Sequence, residues 1–541
     1  MLFCAALLPI LLAVILMTGF KVSPGKALPV SFLVTCVSAF CLWNVALSDL
    51  IAYSVLGILK SLDIILIICC AIFLLNILRD TGALNTIKNS FSGISEDRRI
   101  QVVIIGWIFS GFIEGVSGFG AAPALAAPLL LGLGFPAVPA VCAALICNTM
   151  TVPFGAVGTA FLTSCSAISD AVVQSGETPA QFNRELIQTF STVSGCAGIF
   201  IPLIAVAMVV LLSGEKRKIR AIAEIAPFCI FSGIVYVIPW KIIAVTMGAE
   251  LPSVLASAFA FPVLYAALKL RFLVPKNVWN FPEEERTVLS SPAQEQVEMP
   301  RWKAWMPYLF IALLLVLTRL PSLPLGKWMA QISRIRISQV FSTPGTAFQW
   351  SVLSNPGVFP FLIVGLLFAL YYGMSRQGVF DVLKKSEKQV RYPALAIAAG
   401  FAMVQVMISS AGNPAELPGM LNVIAEAVVR STGKYYVLVS PVIGCFGTFF
   451  AGSCTVSNIL FCPIQYNAAE LLNVPETMMI ALQNCGGGIG SMLRLSGIVA
   501  TCATVNAVGK EGKIILLNSI PALIMILLTL LSMYLCGIVL G

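Results

Sequence analysis

Glu114 is the only charged residue within residues 111–158. Gly and Pro are frequent around it, and Asn148 follows in a second polar cluster. An ionisable side chain at membrane depth is costly, and is therefore a functional-site hypothesis. The stretch has too many helix breakers for continuous spanning helices and too few charges for an aqueous loop. It predicts broken helices that line a polar cavity.

A similar layout recurs within residues 444–494. Ser457 and Asn458 follow a glycine-containing cluster there, and Asn484 precedes a run of three glycines further on. Apolar segments interrupted by Gly or Pro at corresponding positions of two halves are typical of transporter binding sites. The alternative is that the glycines only let helices pack closely. The polar side chains that recur among them favour a binding site.

The composition is that of a polytopic membrane protein. The 541 residues are 58% hydrophobic and 11% charged, with a mean hydropathy of +0.95, whereas soluble proteins carry roughly 25% charged residues. The basic residues lie mostly between apolar runs, which indicates membrane orientation and argues against nucleic-acid binding. The partners we expect are the lipid bilayer and a small solute, and no pattern specifies an oligomeric state.

Several classes of enzyme are excluded by missing residues. The sequence contains no His, so imidazole catalysis and the HExxH metal motif are absent. The 16 Cys are scattered without metal-ligand spacing, and no GxxxxGK[ST] loop for ATP is present. We therefore expect neither enzymatic activity nor a cofactor or metal.

The apolar runs predict an all-α protein with about 12–14 transmembrane segments, at ~20 apolar residues for each full span. A polar linker at residues 274–303, expected on the cytoplasmic side, separates an N-terminal half, residues 1–273, from a C-terminal half, residues 304–541. Within the first motif the sequence predicts helix breaks at five positions. These are Gly115, Gly118, Gly120, Pro123 and Pro128.

The two motifs resemble the lactate permease family of bacterial membrane carriers. The matching residues are Glu114-Gly115-x-x-Gly118-Phe119-Gly120, Leu-Gly-Leu-Gly-Phe at residues 131–135, Asn148-Thr149, Gly-Ser-x-Thr-x-Ser-Asn at residues 452–458, and Gln483-Asn484-x-Gly486-Gly487. The resemblance covers essentially the whole chain. It implies a multi-pass protein of the bacterial inner membrane that takes up lactate, glycolate and related 2-hydroxy monocarboxylates by proton symport.

The resemblance also implies kinship with the ion-transporter superfamily. Its members have two inverted structural repeats with broken helices or re-entrant hairpins, arranged as a scaffold and a transport domain. The chain departs from the family at Cys454, where the family typically carries Asp, and at Ser491 and Arg494, near a position where the family tends to show Lys. These departures leave the coupling ion, its stoichiometry and the exact substrate open.

The predicted roles follow from what a small carboxylate requires. Glycines let backbone N–H groups at helix N-termini approach an anion, and amide or hydroxyl side chains donate hydrogen bonds to it. Arg494 is predicted to pair with the carboxylate in a bidentate manner; alternatively, it extends to the membrane interface. The predicted substrate-binding residues are Gly118, Gly120, Asn148, Thr149, Ser457, Asn458, Asn484, Gly486, Gly487 and Arg494.

Glu114 is the predicted proton carrier. Burial favours the neutral form of a carboxyl group, which releases its proton when the site opens to water. The alternative is a permanently protonated Glu114 bonded to backbone near the glycines. Two functions besides proton symport also stay open: a carrier or exchanger of another small organic anion with different coupling, and an anion channel.

Overall fold

The computed structural model describes residues 2–18, 20, 22–91, 94–118, 120–214, 218–282, 299–319, 325–355, 358–505 and 507–540. The described chain is predominantly helical. Helices before the linker are α1 (Leu2–Thr18), α2 (Pro24–Leu42), α3 (Leu47–Asp80), α4 (Ala83–Phe91), α5 (Arg98–Gln101), the π-helix Val102–Phe109, α6 (Ser110–Ser117), α7 (Ala121–Gly132), α8 (Ala137–Cys147), α9 (Gly155–Gln174), α10 (Pro179–Gly198), α11 (Ile201–Leu212), α12 (Lys218–Met247) and α13 (Pro252–Lys269).

The second part of the chain adds ten α-helices and a short antiparallel hairpin. In this hairpin β1 (Arg334–Ile337) pairs with β2 (Phe348–Ser351). The helices are α14 (Arg301–Arg319), α15 (Leu325–Ile332), α16 (Phe359–Tyr371), α17 (Arg376–Ser409), α18 (Met420–Thr432), α19 (Tyr436–Ala451), α20 (Cys454–Leu472), α21 (Glu476–Gly490), α22 (Leu495–Thr504) and α23 (Glu511–Leu540).

Within the described ranges, ten helices are long and apolar enough to cross a membrane. Four shorter apolar helices accompany them, among them α7 and α8, which follow Glu114. An α-helix satisfies all of its interior backbone groups, which is why helices suit a bilayer without water. These elements confirm the prediction of an all-α, multi-pass membrane protein, with the β1–β2 hairpin as a small exception.

The helices form two compact units, each drawn from both parts of the chain. Unit 1 is Met1–Ile77, Thr159–Leu186 and Pro307–Gly487; unit 2 is Leu78–Gly158, Ile187–Met306 and Gly488–Gly541. The units therefore differ from the two sequence halves, and the inverted relation of those halves stays a prediction. Of the predicted linker, residues 283–298 lie outside the described residues.

Each unit has its own helix packing. In unit 1, α2 packs along α17, and α20 packs against α17, α18 and α19. In unit 2, α6 packs against α13, α7 packs against α8 and α22, and α8 packs against α11 and α23. The packing of unit 2 thus brings the helix after Arg494, α22, to the helix after Gly120, α7.

Of the five helix breaks predicted in the first motif, only those at Gly118 and Gly120 are present. Gly118 and Gly120 have φ angles of +56° and +87°, a region that favours glycine. The other three predicted breaks are wrong. Gly115 lies inside α6, close to Val254 of α13; Pro123 lies in the first turn of α7, where its missing N–H is harmless; and α7 continues through Pro128.

The second motif breaks at three places. Gly452, with φ of +66°, and Ser453 separate α19 from α20. Residues 473–475 separate α20 from α21. A turn at residues 491–494 separates α21 from α22. The three glycines at residues 486–488 lie inside α21 rather than at any of these breaks.

A π-helix precedes the helix that carries Glu114. Val102–Phe109 is π-helical over eight residues, and every residue of the segment is buried. A π-helix has i to i+5 hydrogen bonds and is rare beyond a single turn, frequently at functional sites. The wide turns of this segment therefore set the direction in which Glu114 of α6 projects.

The ion pairs outside the two motifs include one that is fully buried and one that is partly buried. In unit 2, Arg99 Nη2 bonds Asp97 Oδ2 at 2.7 Å, and the guanidinium also donates to two backbone carbonyls. In unit 1, Lys60 pairs with Asp170. Charges removed from water are destabilising unless they are paired and hydrogen-bonded, so these pairs are consistent with structural roles.

Candidate functional site

Glu114 lies in unit 2 at the last turn of α6, with only 1% of its surface exposed. Its Oε2 accepts a hydrogen bond of 3.1 Å from Asn148 Nδ2. A Cβ added at Gly155 would lie 2.8 Å from Oε1, so the carboxyl group lies directly against the backbone of that glycine. Two residues with separately predicted roles, Glu114 and Asn148, are therefore in contact.

Arg494 belongs to the same unit and is the N-cap residue of α22. Only 6% of its surface is exposed, which argues against the alternative that it extends to the membrane interface. The guanidinium lies against the backbone of Gly120, and its Nε would be 2.7 Å from a Cβ added at Gly497. Two glycines thus provide the space that the side chain occupies.

Positive potential is concentrated around this guanidinium. Gly120 is the N-cap of α7 and Arg494 is the N-cap of α22, and the two helices pack together. Unpaired N–H groups and the helix dipole make a helix N-terminus favourable for an anion, by about 0.3–1 kcal/mol and up to ~2 when partly buried. Two such ends and an Arg side chain suit a carboxylate.

Thr149 also lies in unit 2, but its hydroxyl group has a local role. Thr149 Oγ1 donates to the carbonyl of Ile146 at 2.9 Å, within the turn that ends α8. Its own carbonyl oxygen would be 2.6 Å from a Cβ added at Gly488. Phe119 of the first motif lies outside the described residues.

The remaining predicted residues lie in unit 1, where they form a buried network without charged side chains. Asn458 Nδ2 donates to Asn484 Oδ1 at 2.8 Å and to the carbonyl of Ala160 at 2.9 Å. Asn484 Nδ2 donates to Ser164 Oγ at 3.0 Å. The amides of α20 and α21 are thereby bonded to α9.

The network continues through two glutamine side chains. Gln483 Nε2 donates to Ser457 Oγ at 3.1 Å, and Gln465 Nε2 donates to Gln483 Oε1, also at 3.1 Å. Gln465 Oε1 and Thr448 Oγ1 are buried and have no hydrogen-bond partner within the described structure. The network therefore retains acceptor capacity that a ligand or water can use.

Gly486 and Gly487 are packing positions in unit 1. Gly486 lies against the carbonyl of Pro441 in α19, and a Cβ added at Gly487 would lie 2.7 Å from Cys454 Sγ. Small residues at such places let helix backbones approach closely. Their role as backbone ligands for a substrate stays a prediction, as do the substrate contacts of Ser457, Asn458 and Asn484.

Known proteins identify the family of the chain. The sequence pattern described as L-lactate permease matches residues 3–540. The chain belongs to the L-lactate permease family. Relatives named L-lactate permease include those of Bacillus subtilis, 28% identical over 83% of this chain and 80% of the relative, and Streptococcus iniae, 27% identical over 89% and 94%. The L-lactate permease of Escherichia coli K12 is 26% identical over 94% and 91%.

One solved structure supports the fold of this permease-family chain. The crystal structure of the Alcanivorax borkumensis YdaH transporter, described as having an unusual topology, superimposes with a TM-score of 0.50. It covers 94% of this chain and 98% of the other, at 13% sequence identity. At that identity the similarity concerns the fold alone.

Three residues of the clusters were not predicted as site residues. Gln465 lies seven positions after Asn458, so both face the same side of α20; that spacing was a usable signal. Gln483 directly precedes Asn484 and was noted only as part of a motif. Ser164 is one of many Ser and Thr residues in apolar helices, and nothing in its sequence context distinguishes it.

No group of three or more His, Cys, Asp or Glu that could hold a metal ion occurs among the described residues. Cys454, at which the resemblance led us to expect an acidic residue, is buried at the first position of α20.

Gly497→Ala is expected to lower transport by about tenfold without unfolding the protein. Ala is favourable inside α22, but its methyl group would meet Arg494 Nε at 2.7 Å and displace the guanidinium. Loss of one charge-assisted hydrogen bond corresponds to roughly that factor. The measurement is the initial rate of L-lactate uptake into proteoliposomes that contain equal amounts of each variant.

Gly132→Ala is the matched control, because nothing lies within 4 Å of a Cβ added there. It is expected to transport like the wild type. Equal rates for both variants would show that the position of Arg494 has no influence on transport.

Asn458→Ala is expected to destabilise the protein by roughly 1 kcal/mol. The change removes the donor to the Ala160 carbonyl and to Asn484 Oδ1, and interhelical hydrogen bonds in membranes contribute about 0.6–2 kcal/mol. Unfolding in detergent measures the effect. Asn467→Ala on the same helix, whose side chain bonds Asn422 in an exposed position, should leave the midpoint unchanged; identical midpoints for both variants would refute the prediction.

Proposed function

We propose that this protein is a secondary active transporter that carries L-lactate, glycolate and related small 2-hydroxy monocarboxylates together with a proton. Its membrane is proposed to be the bacterial inner membrane, since the relatives named above are bacterial. The observation that supports the proposal most is that Glu114 and Arg494 are both buried in unit 2, with Arg494 against Gly120 of the same motif as Glu114. The substrate class rests on the printed names of the relatives.

The substrate carboxylate is proposed to bind the Arg494 guanidinium at the N-termini of α7 and α22. Arg presents a planar fork of N–H groups that matches both oxygens of a carboxylate. Asn148 already donates to Glu114. We expect this hydrogen bond to weaken when the Glu114 carboxyl group is protonated, so that the amide of Asn148 can donate to the substrate instead.

Proton coupling follows from the charges of this site. When Glu114 is ionised, it neutralises Arg494, and a second carboxylate would add a net negative charge to a buried site. When Glu114 is protonated, Arg494 is available to the substrate, and the loaded site is neutral. A charge at membrane depth costs about 2.5–3.5 kcal/mol, which corresponds to roughly a hundredfold preference for loading the anion with a proton.

Uptake by purified protein in liposomes tests the function. With an inward proton gradient, L-lactate and glycolate should enter faster than in empty vesicles, and a protonophore should abolish accumulation. Replacing Na⁺ by K⁺ on both sides should have no effect. Accumulation that follows a Na⁺ gradient instead would overturn proton coupling.

A carrier is distinguished from a channel by counterflow. Unlabelled lactate inside the vesicles should stimulate entry of labelled lactate, because internal lactate lets the binding site of a carrier return to the outer side with substrate bound. An uptake that never saturates and shows no stimulation by internal substrate would support the channel. No uptake of either acid above the empty-vesicle level would refute the substrate assignment.

A further inference from the structure

An apolar groove of about 820 Å³ lies in unit 1 between α3 and α17, with α16 at one side. Its lining is mainly aliphatic, with Leu62 and Leu66 from α3 and Leu395 from α17. Leu395 is 50% exposed. The groove is open at its surface, and α3 and α17 are long and apolar enough to cross a membrane, so an apolar occupant is required to cover it in a bilayer or in detergent.

The two long helices that form the groove run antiparallel. Gly57 of α3 lies against the backbone of α17 near Ala402, since a Cβ there would be 2.6 Å from the Ala402 Cα. At the other end, Asn76 of α3 donates to Ser386 at 2.9 Å and to Gln389 at 2.8 Å. The groove therefore extends from the apolar half of α17 to its polar half.

The polar end of the groove carries one acidic and one basic side chain, Glu387 and Arg391, and lies at a boundary in the sequence of α17. Residues 376–391 contain five basic and two acidic side chains, whereas residues 394–409 contain none. Arg391 and Tyr392 line the groove where the character of the helix changes, and Tyr392 is 59% exposed. Arg and Tyr side chains at such a boundary are typical of the membrane interface.

We propose that this groove binds one anionic phospholipid, with an acyl chain along Leu62 and Leu66 and the phosphate on Arg391. The charge of Arg391 and the position of the groove support this occupant: a basic side chain near the membrane surface attracts an anionic headgroup, and an acyl chain matches an aliphatic lining. The acidic neighbour Glu387, one turn before Arg391 in the groove, is placed to accept hydrogen bonds from headgroup hydroxyl groups.

Native mass spectrometry of the purified full-length protein, titrated with phosphatidylglycerol, tests the site. We expect one retained phosphatidylglycerol per chain and weaker retention of phosphatidylcholine. Arg391→Gln should weaken the affinity about fivefold to tenfold, the effect of one basic contact with an anionic lipid. Arg376→Gln is the matched control, because that residue begins the same helix and does not line the groove.

A second variant tests the apolar part of the groove. Leu66→Trp should fill it and abolish retention, whereas Leu370→Trp, on the exposed side of α16, should not. Cys69 lines the groove and Cys41 is exposed elsewhere, so bound phosphatidylglycerol should slow modification of Cys69 by a maleimide while leaving Cys41 unaffected. Size-exclusion chromatography verifies the fold of each variant.

Three outcomes would overturn the proposal. Wild-type retention in both Arg391→Gln and Leu66→Trp would place the lipid elsewhere. Equal affinities for phosphatidylglycerol and phosphatidylcholine, unchanged by Arg391→Gln, would show that the site does not recognise an anionic headgroup. A mass of two chains that Leu66→Trp converts to one chain would show that a second copy covers the groove.

Discussion

Glu114→Gln is expected to abolish proton-driven accumulation of lactate while leaving exchange of internal for external lactate measurable. Gln has the size of Glu and keeps an acceptor for Asn148 Nδ2, which bonds Glu114 at 3.1 Å, but it cannot carry a proton. A pH gradient of one unit stores about 1.4 kcal/mol per proton and supports roughly tenfold accumulation. The variant should therefore equilibrate lactate without concentrating it.

The measurement compares net uptake under a proton gradient with counterflow in the same proteoliposomes. Glu426→Gln is the control, because that carboxyl group is exposed on α18 and pairs with Arg430 at 3.6 Å. It should accumulate lactate like the wild type. Unchanged accumulation by Glu114→Gln would eliminate this residue as the proton carrier and favour the alternative of a permanently protonated, structural Glu.

Arg494→Gln is expected to reduce both accumulation and exchange by about tenfold to a hundredfold. The guanidinium is the proposed partner of the substrate carboxylate, and hydrogen bonds to charged groups contribute about 1.5–3 kcal/mol. Arg494→Lys keeps the charge but loses the planar fork, so it should fall between the wild type and Arg494→Gln. Counterflow at several lactate concentrations separates weaker binding from slower turnover.

The folding of Arg494→Gln needs its own control, because the change leaves Glu114 buried without its neighbouring positive charge. The double variant Glu114→Gln/Arg494→Gln removes both charges and should be at least as stable as Arg494→Gln. It should still fail to transport. Wild-type exchange by Arg494→Gln would show that the residue neutralises Glu114 without binding substrate.

The sequence singled out the residues of the unit 2 cluster but not the architecture that brings them together. An acid in a stretch otherwise without charges, a following Asn and one nearby Arg are visible as residue types, and all three lie in one unit. Their partners in three dimensions are not visible, because they depend on helix packing. Gly155 beside Glu114 and Gly497 beside Arg494 are recognised only when the backbones are in place.

Glycines and prolines were the least reliable signals. Both residue types have alternative uses in a membrane protein: Gly486 and Gly487 lie inside α21 in close packing positions, and Pro128 lies inside α7. A helix break requires a backbone conformation that other residues avoid, as at Gly118 and Gly120. Sequence alone identifies the residue type but not the φ angle.

The π-helix before Glu114 makes the number of residues in that segment as important as their identity. An α-helix advances about 100° per residue and a π-helix roughly 82°. If Val102–Phe109, eight residues long, became α-helical at constant length, Glu114 would turn by about 145°. If the segment became α-helical and also lost one residue, Glu114 would project within about 45° of its present direction. We therefore expect that family members with a regular α-helix in this segment are one residue shorter there, so that their sequences align with a single gap.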